Sequence, residues 1–486
     1  MTVDYPELRL FIGGRWIGLE GRSGEPVYNP ATGDVLAELP HATEADLDEA
    51  LACSAAGFER WRRTSPVERA RVLQRASALM LERRDRLATL ITLELGKPIA
   101  EAKAEVEQAA GIFGWNAEEG RRAYGRVVPP RSHGSTQFTL REPVGPIAAF
   151  ASWNAPAITP SRKISGALAA GCSVVIKASE ETPATALAIA GLLRESGLPD
   201  GVLNVVFGNP AEISAKLIGS PIIRGMTFTG STSVGKQLAA LAVQGIKRMT
   251  LELGGHAPVV IFGDVDPEAV AHSAVTAKYR NAGQVCTSPT RFYVHRSIHD
   301  RFVARFAELA RTITVGNGLD PTTRMGPLAN ARRLEAMNRF LDDARSRQIA
   351  VPVGGQRIAG QGCFYSPTLM ANVDEDCLVS NVEPFGPIAA TTAFDSPEEA
   401  IRLCNRLPFG LASYVMTNDL RNAGAMIEGV EAGNVILNHW QASLPETPFG
   451  GYKDSGIGLE GGIEGLQAFQ NVKYVSQFAP IGKAPE

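Results

Sequence analysis

Cysteine and histidine are scarce in this chain, six and seven among 486 residues. The cysteines stand at 53, 172, 286, 363, 377 and 404, with no CxxC pair and no spacing that suggests a disulfide framework. The histidines are scattered, without HExxH or a His/Cys cluster, so no metal site is expected. No run of 18 apolar residues occurs, and no membrane-spanning helix is predicted. An excess of one charge is missing too: 48 basic and 51 acidic residues give a formal net charge of −3, with the signs interleaved. Neither nucleic acid nor an anionic membrane surface is therefore expected as a partner. The opening MTVDYPELRLFIGGRW carries Asp4, Glu7 and Arg9 before any signal-like apolar stretch develops. These absences lead to the expectation of a reduced, cytoplasmic protein.

The chain does carry an ordinary globular composition, 44 % apolar and 20 % charged, in a length that exceeds a single hydrophobic core. Residues 43 to 122 read as helices from apolar spacings of three and four, with a capping pattern at Thr43 and Asp46 and a stop and restart at Gly96 and Pro98. From 145 the pattern changes. Short apolar runs (GPIAAFAS, CSVVIKAS, LNVVFG, GMTFTG, MTLELGG, APVVIFG) alternate with helical segments near 160–170, 183–196, 210–218 and 233–243. Near-continuous apolar strands separated by helices predict a parallel, doubly wound sheet. A second such series runs from about 266 to 437, with strand candidates RFYVHR, PFGPIAATTAF, LASYVMT and GNVILN. Between helices and sheet, 127–143 is extended and polar, a candidate protruding hairpin.

Three stretches could carry chemistry. FTGSTSVGK, 228–236, lies between a strand and a helix, where glycines let backbone N–H groups approach a phosphate. Gln237 stands where a nucleotide-triphosphate loop needs Ser or Thr for magnesium, so the stretch reads as a phosphate-bearing ligand site or a plain tight turn. LELGGHAP, 251–258, puts Glu252 at a strand end, as a ligand-facing carboxylate or a solvated one. YRNAGQVCTSPTR, 279–291, sets Cys286 after a helix and before a Ser-Pro turn, a poor place for a cysteine that only packs.

These stretches occur in one ordered set with FIGGRW, YNPATG, SWNAP, NVEPFGP and PFGGYKDSGIGLEGG (448–462). The set resembles the aldehyde dehydrogenase family, most nearly the NAD-dependent succinate-semialdehyde dehydrogenases and related semialdehyde dehydrogenases. The resemblance implies an α/β fold with a Rossmann-type cofactor domain (1–126 and 144–254), an α/β catalytic domain (255–440) and a β oligomerisation arm (127–143 with 465–486). An arm with exposed strand edges implies a homodimer or homotetramer. By match to the motifs, Cys286 is the nucleophile, Asn154 the oxyanion donor and Glu252 the general base that activates water for deacylation. The presence of Glu252 points to an acid-forming enzyme, since members that acylate coenzyme A lack this base. Binding alone does not need that trio, which argues against a non-catalytic protein retaining the fold.

For the cofactor, the resemblance implies NAD, held by Lys177 and Glu180 at the adenosine ribose, by the loop of Gly230, Ser231 and Gly235 at the pyrophosphate, and by Glu383 and Phe385 at the nicotinamide. Trp153 would line the adenine end. Glu180 would accept from both ribose hydroxyls and repel a 2′-phosphate. Three departures from the family pattern stand out: Ser152 in place of proline, Ala155 in place of a common aromatic, and Val382 in place of the first of two glutamates. Arg162, Arg280 and Ser443 match positions that grip a distal carboxylate, which implies an ω-oxo acid such as succinic semialdehyde. Ala155, His439 and Trp440 leave room for a longer or aromatic aldehyde, and an uncharged aldehyde is the alternative.

Overall fold

The computed structural model describes residues 5–478. Residues 479–486 of the expected arm lie outside that range. The strands Ile147–Phe150, Val174–Lys177, Leu203–Val206 and Gly225–Thr229 are buried at every position. Apolar residues on both faces of a strand are stable only where helices cover both faces. With Arg248–Glu252 these strands run parallel, in the spatial order third, second, first, fourth, fifth. The order reverses between Ile147–Phe150 and Gly225–Thr229, and the crevice beyond the carboxyl ends of such a pair is where doubly wound sheets bind ligands. The segments that emerge there are Ala151–Asn154 and Gly230–Ser231. Antiparallel strands finish the sheet, Leu10–Ile12 and Arg15–Ile17 at one edge and Gly456–Ile457 at the other.

The second sheet takes its seven strands from residues 258–437, six of them parallel and Ala350–Val353 antiparallel at the edge. Each of the two large sheets has its own apolar core, one around Val174–Ile176 and Phe113, the other around Phe292, Phe302 and Tyr414. Helix Glu44–Trp61 begins at a complete capping box of Thr43 and Asp46, and Gly96 ends helix Arg84–Leu95 at φ 80° before Ile99–Gly120 restarts. The stretch 127–143 folds as Val127–Val128 and Ser135–Pro143, and the latter pairs along its full length with Gln470–Phe478.

Several strands escape a reading by periodicity: Leu10–Ile12 and Arg15–Ile17, Gly24–Tyr28 with Val35–Pro40, Ala350–Val353 and Thr368–Ala371. Runs of three to six residues hold too few alternations to stand out from a loop.

Candidate active site

Glu252 closes its strand at the sheet's carboxyl edge and is 5 % exposed. Its Oε2 accepts from Thr229 Oγ1 at 3.0 Å, and its Oε1 accepts from the thiol of Cys286 at 3.4 Å. The expected nucleophile and base, 34 positions apart in the chain, are therefore in contact. Burial raises the Glu252 pKa, and the carboxylate of Glu460 raises it further against the opposing pull of Lys163 and Arg162. Glu460 is itself buried and paired with Lys163 at 2.6 Å. Burial also pushes the Cys286 thiol well up, with Glu252 adding to it. In the resting site a protonated thiol thus bonds to a carboxyl group that burial makes a stronger base than a solvated carboxylate.

Gly254 and Gly255 permit this approach. A Cβ on Gly255 would lie 2.9 Å from the Cys286 carbonyl oxygen, and one on Gly254 would lie 3.1 Å from Glu383 Oε2. The nucleophile loop turns through Asn281, Ala282 and Gly283 at φ 48°, 53° and 71°. Two non-glycine residues in this region cost roughly 1–2 kcal/mol each, and the loop is anchored accordingly. Asn281 N donates to Glu101 at 2.9 Å, and Asn281 Nδ2 donates to the carbonyls of Asn154 and Gln284 at 3.1 Å.

Asn154 is buried. Its carbonyl also accepts from Lys97 Nζ at 3.1 Å, its Nδ2 donates to the Gln284 carbonyl at 3.2 Å, and its Oδ1 accepts from Ser152 Oγ at 2.8 Å. Lys97 is paired in turn with Glu105, whose other oxygen accepts from Ala157 N at 2.8 Å and so caps helix Ile158–Ala170, which has no cap of its own.

A cavity of 420 Å³ opens beside Cys286, lined among others by Trp153, Asn154, Gly230, Ser231, Arg333 and Phe385. Ser231 caps helix Thr232–Gln244, whose first turn faces this crevice. Gly235 is not part of the lining: a Cβ there would meet Leu253 at 2.3 Å, so this glycine serves helix–strand packing. Trp153 also departs from the adenine-end assignment. Its ring meets Phe385 edge-on at 5.4 Å, in the part of the cleft that holds Cys286. The short loop from Ile147–Phe150 leaves it no reach beyond its neighbour Asn154. Lys177 and Glu180 form an ion pair one strand away, and Glu180 Oε1 accepts from Gly208 N at 3.3 Å. Glu383 is pushed up to about 8, chiefly by burial, while Arg333 opposes the shift.

Arg333 was not anticipated. Its guanidinium donates to the carbonyls of Pro384 and Phe385, lies 5.8 Å from the Phe385 ring and keeps a buried Nε without a partner among the described residues. Phe385 itself sits at φ 45°, a strained value for a bulky residue. The sequence did hold a signal, since Arg333 lies in the first turn of helix Ala331–Ser346, against the helix dipole. Lys97, Glu105, Lys163 and Glu460 were missed as well; Glu460 lies in the stretch 448–462, but nothing local ties any of the four to the site.

On the other side of the nucleophile, Val285 and Thr287 line a second cavity of 580 Å³ with Gln108, Arg280, Trp440 and Ser443. Arg280 is exposed at its rim. Arg162 is 6 % exposed and reaches this space only through Ser443, to whose Oγ its Nη2 donates. Its Nη1 has no partner among the described residues, and its guanidinium stacks 5.3 Å from Phe449. Arg162, Ser443 and Arg280 are thus brought together, the first at second hand.

The aldehyde dehydrogenase family model matches residues 16–475. The 4-(hydroxymethyl)benzenesulfonate dehydrogenase of Comamonas testosteroni is 44 % identical over 98 % of this chain and all of its own. The crystal structure of succinate-semialdehyde dehydrogenase from Burkholderia pseudomallei superposes with a TM-score of 0.96 at 37 % identity, covering 98 % of this chain and all of that one. An NAD+ complex of aldehyde dehydrogenase from Bacillus cereus gives 0.95 at 33 % identity over 97 % of both chains. With a thiol, a buried carboxylate and a 420 Å³ cleft meeting at one sheet edge, this chain belongs to the aldehyde dehydrogenase family and is an oxidoreductase acting on aldehydes.

Proposed function

We propose that the enzyme uses NAD to oxidise an aldehyde whose far end carries an anionic group, an ω-oxo acid of the succinic semialdehyde type, and that it does so in the cytoplasm as a homodimer or homotetramer. The observation that carries the substrate reading is the pair of arginines. Among the described residues neither Arg162 nor Arg280 is ion-paired, and Ser443, to which the buried Arg162 donates, lines the cavity together with Arg280. A buried cation without a counter-ion is costly, and a ligand carboxylate offsets the cost.

The chain's own residues suit the chemistry. Glu252 takes the thiol proton, and the Cys286 sulfur bonds to the aldehyde carbon. The resulting oxyanion is met by Asn154 Nδ2 and the Cys286 backbone N–H. The crevice at the reversal of strand order, the helix that starts at Ser231 and the unpartnered Arg333 Nε fit a dinucleotide. When bound, the dinucleotide supplies the hydride acceptor. Lys177 and Glu180 would hold its adenosine ribose, and Glu383 and Phe385 its nicotinamide end. Once hydride has left the carbon, Cys286 carries a thioester. Glu252 gives the thiol proton up to bulk water, then takes a proton from the water that attacks the thioester and passes it to the departing Cys286 sulfur, so that the acid leaves with the thiol restored.

A second reading replaces the aliphatic spacer with an aryl ring. Trp440 and Tyr414 both line the substrate cavity, their ring centroids 5.2 Å apart and tilted at 43°, and give it an aromatic side. The sulfonate-bearing ring in the name of the Comamonas relative supports the same shape.

Four aldehydes separate the readings: succinic semialdehyde, propanal, 4-carboxybenzaldehyde and benzaldehyde, assayed for NADH or NADPH formation. A preference for both anionic members, lost about tenfold or more in Arg280→Ala and Arg162→Ala, is the expected result. Equal turnover of propanal and benzaldehyde would leave both arginines as scaffold. With NADP the parent is expected to be slow, and Glu180→Ser to narrow the gap by relieving the repulsion of a 2′-phosphate.

A further inference from the structure

Ser152 stands where the family resemblance leads one to expect proline, and its hydroxyl engages the side chain of Asn154 directly. The Asn154 amide can sit in its slot in two ways, related by a half-turn that exchanges oxygen and nitrogen. Only one of them helps an oxyanion, because the other would turn a carbonyl oxygen towards the developing negative charge. The backbone does not choose between them. Lys97 Nζ and Asn281 Nδ2 both bond the Asn154 carbonyl oxygen at 3.1 Å, which fixes the main chain and leaves the side-chain torsion open.

One contact chooses, because the Gln284 carbonyl can only accept, and a second holds the result, because the Ser152 hydroxyl donates to the oxygen so placed. Asn154 Nδ2 donates to the Gln284 carbonyl at 3.2 Å, and Asn154 Oδ1 accepts from Ser152 Oγ at 2.8 Å. The Gln284 carbonyl favours the productive orientation but occupies one of the two amide hydrogens. Ser152 holds the amide from its oxygen side and leaves the second hydrogen free. A hydroxyl donating to the amide oxygen also polarises the group and strengthens its N–H as a donor. Ser152 is held in turn: its own carbonyl accepts from Thr159 Oγ1 at 3.2 Å, and the Ala151 N–H bonds the Lys177 carbonyl at 3.2 Å. A proline at 152 has no hydroxyl and could do none of this.

We propose that Ser152 is a positioning residue that holds and polarises the amide of Asn154, in the orientation selected by the Gln284 carbonyl, so that its nitrogen serves the oxyanion formed at Cys286. The inference rests on the reading of Asn154 as the oxyanion donor, so its test must separate the two. Ser152→Ala, Ser152→Thr, Asn154→Ala and the Ser152→Ala/Asn154→Ala double variant are compared with the parent in two assays. One is steady-state oxidation of the preferred aldehyde. The other is hydrolysis of an activated aryl ester without cofactor, which forms a tetrahedral oxyanion on the same thiol and transfers no hydride.

Ser152→Ala is expected to lower kcat and the ester rate about fivefold to tenfold, the weight of one neutral hydrogen bond, with KM and the thermal midpoint little changed. Ser152→Thr, which keeps the hydroxyl, recovers most of that loss. Asn154→Ala loses about a hundredfold or more, and the double variant is no slower than Asn154→Ala alone, as expected when one residue acts only through the other. Losses that multiply in the double variant, or parent-like rates for Ser152→Ala, overturn the role of Ser152 while leaving Asn154 intact. Parent-like rates for Asn154→Ala overturn the oxyanion reading itself, and the proposal with it.

Discussion

At the scale of single residues, the site works by setting two acids against each other. Glu252 is a base only when ionised, and its pKa lies above the usual carboxylate range, first because it is buried and second because Glu460 carries a like charge nearby. Turnover should therefore rise with pH through the raised pKa of Glu252 and fall away below it, since protonation removes the acceptor of the thiol proton. Glu460→Gln deletes the like charge and frees Lys163 to act on Glu252, and both changes lower the Glu252 pKa. The acid limb of kcat against pH is expected to move to lower pH. A limb that stays in place or moves up would show that Glu252 is not the group titrating there. Cys286, Glu252 and Asn154 were legible in the sequence because each lies in a short contiguous motif. Glu460 also lies in a contiguous motif, yet nothing in the sequence tied it to Glu252, which stands 208 positions earlier (460 − 252).

Secondary-structure elements show a recurring device, in which a buried glutamate from one helix caps another that lacks its own cap. Glu105 does this for helix Ile158–Ala170, and Glu94 does it for Pro183–Glu195, whose N-cap Thr182 makes no side-chain bond. Glu94 accepts from Ala184 N at 2.6 Å, Thr185 N at 3.3 Å, Thr185 Oγ1 at 2.7 Å and Tyr5 Oη at 2.7 Å. Burial pushes its pKa up to about 7. Glu94→Ala strands these donors in the interior and is expected to cost about 2–3 kcal/mol. The thermal midpoint should then fall by roughly 5 °C. Glu94→Gln, which keeps one acceptor oxygen, should fall less, and differential scanning fluorimetry of the two variants checks the order. The helix itself was predicted from apolar spacing, yet its cap was not, because Glu94 lies outside the helix it serves.

Across the whole molecule, the outlying sheet of Val127–Val128, Ser135–Pro143 and Gln470–Phe478 contributes to neither large core. Gln470–Phe478 is its edge strand, with Val472, Tyr474 and Phe478 exposed on one face at 55 %, 58 % and 66 %. A nine-residue edge with an apolar face is a template for pairing with another chain. Light scattering is expected to report a mass of two or four chains at micromolar concentration, and Val472→Asp with Tyr474→Asp to lower it. A monomeric parent would refute the assembly.

What the amino-acid sequence determined by itself is whatever depends on near neighbours along the chain. The alternation of apolar strands and amphipathic helices specified a doubly wound half, Gly96 and Pro98 marked a helix boundary, and contiguous motifs singled out Cys286, Glu252 and Asn154 as the residues proposed to carry the chemistry. The tertiary structure alone decided the order of the strands and hence where the crevice opens, the meeting of Cys286 with Glu252, and the removal of Trp153 and Gly235 from the places assigned to them. It also decided the cross-chain ties of Lys97, Arg333 and Glu460. The physical reason is that burial, Coulomb attraction and hydrogen bonding act through space, between groups that only the folded topology brings within a few ångströms.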